Sequence, residues 1–179
     1  MEKTMTTKEK ILQISFQTFL NKGFEYTTMN GLVKVSGISK GAFYHYFPNK
    51  KALYNAVIDR FFLSFYRAIN WDAYRDLSFA EIDQKIKYFY INFVNEINKI
   101  SNNGLASYYI MFFEACKLHP GFVSEIQQFY FQFKKTISTA ITNEKLDINP
   151  VSIIAKYEGI LFWILIFPKE KIEALINEL

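Results

Sequence analysis

The stretch "SKGAFYHYFPNKKAL", residues 39–53, sets four aromatic rings, three lysines and one of the chain's two histidines between a serine and the start of a further helix. Ser39 is a good N-cap, and Pro48 stops the helix by lacking a donor and by forcing Phe47 out of the helical region. Just upstream, "MNGLVKVS" (residues 29–36) reads as a second short helix capped by Thr28, and Gly37 supplies the positive backbone dihedral of the turn between them. Two short helices joined in this way match a helix-turn-helix, packed through Leu32, Val33, Ile38 and Phe43. With Phe43 and Phe47 turned to the core, Lys40, Gly41, Ala42, Tyr44 and His45 are left on the exposed face. Small residues there let the backbone approach base edges, and Tyr44 and His45 can donate to phosphates or bases. Lys40, Lys50 and Lys51 fall in first helical turns, where the macrodipole disfavours cations unless a phosphate is bound. The plainer alternative is an amphipathic helical hairpin with solvated lysines.

Charge placement supports a polyanion at this end. Of 179 residues and a net charge of +4, residues 1–50 carry seven lysines against three glutamates, so the whole excess lies there and the remainder is neutral. Half the chain is hydrophobic and 18% is aromatic, a globular composition whose rings belong in a core, a cavity or an interface. The polar start "MEKTMTTKEK" has no signal-peptide run, and one cysteine builds no disulfide framework; both favour the cytoplasm.

Only four prolines and seven glycines punctuate the chain, and the segments between them have helical periodicity, so an all-α fold is expected. A first helix over about residues 7–21 carries Ile11, Leu12, Ser15, Phe16, Phe19 and Leu20. Asn49 caps a long fourth helix with a face of Leu53, Val57, Phe61, Phe65 and Ile69. A helix from Ser78 follows Phe79, Ile82, Ile86, Phe89, Phe93, Ile97 and Ile100. "LASYYIMFFEACKL" comes next, then a break at His119 and Pro120. A further long helix buries Phe122, Ile126, Phe129, Phe133, Ile137 and Ile141. The last two segments are "INPVSIIAKYEGILFWILIF" and "PKEKIEALINEL", the latter restarted by Pro168.

Residues 16–53, "FQTFLNKGFEYTTMNGLVKVSGISKGAFYHYFPNKKAL", resemble the DNA-binding domain of TetR-family transcriptional repressors. Phe19, Gly23, Phe24, Thr27 and Thr28 match the family's entry pattern. Ser36 to Gly41 match its turn, Phe43 to Phe47 the end of its recognition helix, and Lys50 with Leu53 the start of its fourth helix. Departures are Gly31 in place of a polar or acidic residue and Val33 and Val35 in place of small alanines. The resemblance implies a homodimer with an N-terminal three-helix reader and a C-terminal ligand-binding and dimerisation domain, here divided at 1–48 and 49–179.

The expected contacts to double-stranded operator DNA are Thr27, Thr28, Ser39, Lys40, Gly41, Ala42, Tyr44, His45 and Lys50. For a largely apolar or aromatic small ligand the candidate rings are Phe65, Phe89, Phe93 and Tyr108, together with Phe112, Phe129 and Phe133. Glu114 and Arg67 are its candidate polar anchors. Ile153, Tyr157, Ile160, Leu161 and Ile164 are the expected dimer face, since "GILFWILIF" is too interrupted to span a membrane. Cys116 and His119 have metal-ligand spacing but lack further ligands; Cys116 is expected as a small buried hydrophobe and His119 at the surface. With no phosphate loop, nucleophile elbow or convincing catalytic set, neither an enzyme nor a cofactor is expected. The competing function is a constitutive helical DNA-binding or interaction module without a small-molecule ligand.

Overall fold

The structure, a computed structural model, describes residues 5–178, so the ends of the two expected domains at residues 1 and 179 lie outside the described residues. The described residues form helices and their connections, with no strand among them. Three helices open the chain: α1 (Thr7–Lys22), α2 (Met29–Ser36) and α3 (Lys40–Tyr46). Each start is chemically marked. Thr6 and Glu9 form a reciprocal capping box on α1. The Thr28 hydroxyl accepts from Gly31 N–H at 3.0 Å, and Ser39 Oγ accepts from Ala42 N–H at 3.3 Å. Gly37 adopts φ 66°, the left-handed turn expected of it. Ile11, Phe19, Leu32 and Phe43 close the small core of this bundle.

The fourth helix begins as α4 (Lys50–Val57), capped by Asn49, and then changes pitch. Residues Ile58–Leu63 are π-helical, and α-helical geometry resumes as α5 (Ser64–Arg67). The expected face Leu53, Val57, Phe61, Phe65 therefore does not persist. A π turn inserts one residue, so Phe62 and Leu63 become the buried side chains, while Phe61 is half-buried and Phe65 exposed.

After a 3-10 turn (Trp71–Tyr74) come α6 (Phe79–Ile100), α7 (Leu105–Leu118), α8 (Phe122–Asn143), α9 (Pro150–Ile166) and α10 (Ile172–Asn177). The expected buried row of α8 is buried throughout. On α6 the buried row is Ile82, Ile86, Tyr90, Val94 and Ile97, with Phe89 and Phe93 on the flank beside it and Ile100 exposed. Pro168 does not restart a helix; residues 168–171 are a turn, and α10 begins at Ile172. Among the described residues no helix is long and apolar enough to cross a membrane.

On α9 the burial reverses the expectation for the partner face. Tyr157, Ile160, Leu161 and Ile164 are buried in their own subunit, and Tyr157 donates its hydroxyl to Asp83 at 2.7 Å. They pack inward because α9 meets α7, α8 and α10 along that side. Ile153 is half-buried. The open row is Val151, Ala155, Gly159, Phe162 and Ile166.

His119 is likewise inside rather than at the surface. Its side chain is 7% exposed, with Nε2 3.3 Å from Asp59, because the bend after α7 folds it under the π-helical segment. Cys116 is half-buried.

Candidate nucleic-acid interface and interior cavity

Of the expected DNA-facing set, Thr28, Ser39, Lys40, Gly41, Tyr44 and His45 are exposed and Ala42 is half-exposed. They gather on the outer side of α3 and at the start of α2, away from Phe43 and Phe47. The Lys40 amine lies 5.8 Å from the Tyr44 ring centre, so both side chains share one face. Two members are turned elsewhere. Thr27 is buried, and its hydroxyl donates to the Gly23 carbonyl at 2.8 Å, which closes the turn between α1 and α2. Lys50 donates to the Phe24 carbonyl at 2.8 Å and lies over the Phe24 ring at 4.1 Å. Its charge is spent on holding that turn against α4 rather than left open for a phosphate.

The same turn is gripped from the other end of the molecule. Both oxygens of Glu114, on α7, accept from the Phe24 N–H, at 2.9 and 3.0 Å. Burial raises the pKa of this carboxyl while the Phe24 bonds pull it back down. Gly23 makes the grip possible, since it takes φ 78° and a Cβ there would meet Glu114 Oε1 at 3.1 Å. The Phe24 ring packs edge-on against Tyr54 at 5.0 Å, and Tyr54 donates to the Met111 carbonyl at 3.1 Å. Nearby, Asn21 accepts from Asn102 N–H at 2.7 Å. Glu114 is thus a clamp on the reader and is not among the residues that line the main cavity. Arg67 is not a ligand anchor in the cavity either: it pairs with Glu125 at 2.9 Å and Asp59 at 3.2 Å, tying α5 to α8.

A cavity of about 1020 Å³ opens between α1, the π-helical segment, α6 and α7. Four of the seven expected rings line it: Phe65, Phe89, Phe93 and Tyr108. The other three do not line it. Phe112 packs on Phe122 at 5.2 Å, while Phe129 and Phe133 close around Trp71 at 5.5 and 6.3 Å. Phe129 and Phe133 lie away from it because α8 presses them against the 3-10 turn, which sequence periodicity does not locate. The reverse omission concerns Phe16, Leu20 and Phe61, which line the cavity from α1 and the π-helical segment; Phe16 stacks on Phe61 at 4.8 Å. A signal for them existed, since α1 carries two apolar rows where a three-helix reader needs little more than one. Glu81, Lys85 and Glu96 stand at the polar rim. Among the described residues, no three His, Cys, Asp or Glu side chains come together as a metal site.

A capped helix pair that exposes a short basic and aromatic helix, clamped onto a larger helical body with an apolar cavity, defines a helix-turn-helix DNA-binding transcriptional regulator. Residues 11–57 match the bacterial regulatory proteins of the tetR family. The transcriptional regulator QacR of Staphylococcus aureus is 26% identical over 133 residues, covering 62% of this chain and 71% of its own length. The transcriptional repressor NemR of Escherichia coli is 29% identical over 89 residues, covering 46% of this chain and 45% of its own. The crystal structure of a TerR/AcrR-family regulator from Aquifex aeolicus superposes with a TM-score of 0.70 at 20% identity, covering 97% of this chain and 95% of that one. Over residues 11–57 the chain is thus similar to the TetR family of transcriptional regulators, and the likeness in fold extends over nearly the whole chain.

Proposed function

We propose that this regulator is a repressor that binds a pseudo-palindromic operator as a dimer and is released by a largely apolar or aromatic small molecule. Residues 1–48 serve as the reader, and residues 49–179 bind the ligand and the second subunit. The observation that carries the reading is the position of the cavity, whose wall includes Phe16 and Leu20 of the reader as well as Phe89 and Phe93 of α6. A molecule seated there touches both parts at once, so its fit depends on their relative position. The protein acts on cytoplasmic DNA and carries out no chemistry of its own.

The dimer face follows from the open row of α9. Val151, Ala155, Gly159, Phe162 and Ile166 recur at steps of four and three residues on one side of the helix, with Phe162 61% exposed. A Cβ placed on Gly159 meets nothing within 4 Å, so a partner helix can approach closely between the larger side chains. Phe162→Glu with Ile166→Glu is expected to give a folded monomer in sedimentation and to lose operator binding, because two half-sites are needed for affinity. A dimer that persists in this variant removes α9 from the interface. The function as a whole is tested by selecting duplexes from a random pool with the purified protein and screening aromatic compounds for their release. Selection of an inverted repeat and its release by a compound are expected. An operator that no compound releases favours the constitutive module.

A further inference from the structure

The cavity has a pair of hydroxyls deep in its wall. The hydroxyls of Tyr66 and Tyr108 meet at 2.6 Å, both residues line the cavity, and Tyr108 is only 7% exposed. Burial lifts both phenols well above the ordinary tyrosine range, so each keeps its proton at neutral pH. Two hydroxyl protons are therefore present, and the mutual bond uses one. No acceptor among the described residues takes the other. The pair is surrounded by rings, with Phe62 stacked on Tyr108 at 4.8 Å, Phe93 edge-on to it at 4.8 Å and Phe129 edge-on to Tyr66 at 4.9 Å. The nearby Glu158 carboxylate is already engaged, accepting from Tyr90 at 2.6 Å and Tyr130 at 2.8 Å through the same oxygen. A donor left in such surroundings without a partner is disfavoured, and a ligand that supplies the acceptor gains accordingly.

We propose that the cavity takes a mainly aromatic molecule bearing one neutral hydrogen-bond acceptor, a carbonyl or ether oxygen, which receives the unshared proton of the Tyr66–Tyr108 pair. This rests on the reading of the cavity as the effector site. The acceptor is neutral because the Glu158 charge is felt at Tyr66, and a second anion beside it would be repelled. Aryl ketones and aryl ethers have this chemistry.

The experiment is calorimetric titration of the full chain with 2-acetylnaphthalene, with 2-ethylnaphthalene, which has the same shape but no acceptor, and with 2-naphthoate. In the Tyr66→Phe/Tyr108→Phe double variant the ratio of ketone to hydrocarbon affinity is expected to fall by about 2- to 13-fold, the size of one net hydrogen bond. Hydrocarbon binding itself should be kept. Should the double variant not fold, at least one of the single variants Tyr66→Phe and Tyr108→Phe, each retaining one hydroxyl, should keep the ketone preference. An unchanged ratio in the double variant, or loss of the preference in both single variants, overturns the proposal. Naphthoate binding more tightly than the ketone at neutral pH overturns the neutral acceptor. If none of the three binds up to its solubility limit, the effector-site reading itself falls.

Discussion

Gly41 is not required by the packing of the protein around it. A Cβ at this position meets nothing within 4 Å, and its φ is not positive. Glycine inside a helix is nonetheless roughly 1 kcal/mol worse than alanine. Gly37 and Gly23 differ, since positive φ values require them. On the proposed function, the missing side chain of Gly41 serves what lies outside the helix, the close approach of a base edge. Gly41→Gln is therefore expected to melt at the same or a higher temperature and to lose at least about tenfold in operator affinity, the size of one good base contact. Anisotropy titrations beside thermal melts check both halves, and unchanged affinity would remove this side of α3 from the DNA. At this scale the exposed set of α3 was legible, because caps and period decide which way its side chains point. Thr27 and Lys50 were not. Their partners are carbonyls reached across a folded turn, in the case of Lys50 26 residues away, and spacing along one helix cannot disclose such a bond.

At the level of elements, helix order and most boundaries followed from caps and breakers, and α7 begins and ends where its apolar run does. The departure is the π-helical segment. Its residues, "IDRFFL", are ordinary helix formers, and only packing of Phe62 and Leu63 into the core selects the wider pitch over the α register. Because a π turn amounts to one inserted residue, removing one should restore the α-helix without rotating the helical turns beyond it. Arg60 is exposed, and its deletion would bring Leu53, Val57, Phe62 and Tyr66 into steps of four. That deletion is expected to leave a cooperative melt close to the parent's. Deletion of Asn55, within the regular α4, should abolish it, because Leu53 and Tyr54 would turn away from the core. Equal damage from the two deletions would mean that the π segment is not a one-residue insertion. The segment is also where Asp59 meets His119 of the bend after α7 and Arg67, which itself pairs with Glu125 of α8, so its pitch positions these ties.

For the whole molecule, what could not be read in advance is where the helices leave space. Phe89 and Phe93 line the cavity while Phe129 and Phe133 do not, although all four recur at helical steps, because cavity and core differ only in what lies opposite. On the proposed function, the same long-range geometry would supply a coupling route. α7 carries Tyr108 in the cavity wall and, roughly 9 Å further along the helix, Glu114 on the Phe24 N–H. A shift of α7 that accommodates a ligand at Tyr108 must carry Glu114 with it, and the α1–α2 turn either follows or loses its bonds. The reader is then displaced from the half-site spacing of the operator. Coupling between two sites is commonly about 1–3 kcal/mol, so a bound ligand should weaken operator affinity by roughly 5- to 150-fold, and operator should weaken the ligand by the same factor. Glu114→Ala cuts the route while leaving the cavity intact. With 2-acetylnaphthalene as the ligand, the variant is expected to bind it as the parent does but to show a release factor several-fold closer to one, with operator affinity itself reduced as the turn loosens. Titrating the ketone with and without operator, in parent and variant, measures all four affinities. A release factor unchanged by the substitution would assign the coupling to direct contact of the ligand with Phe16 and Leu20, and Glu114 would be left a structural tie.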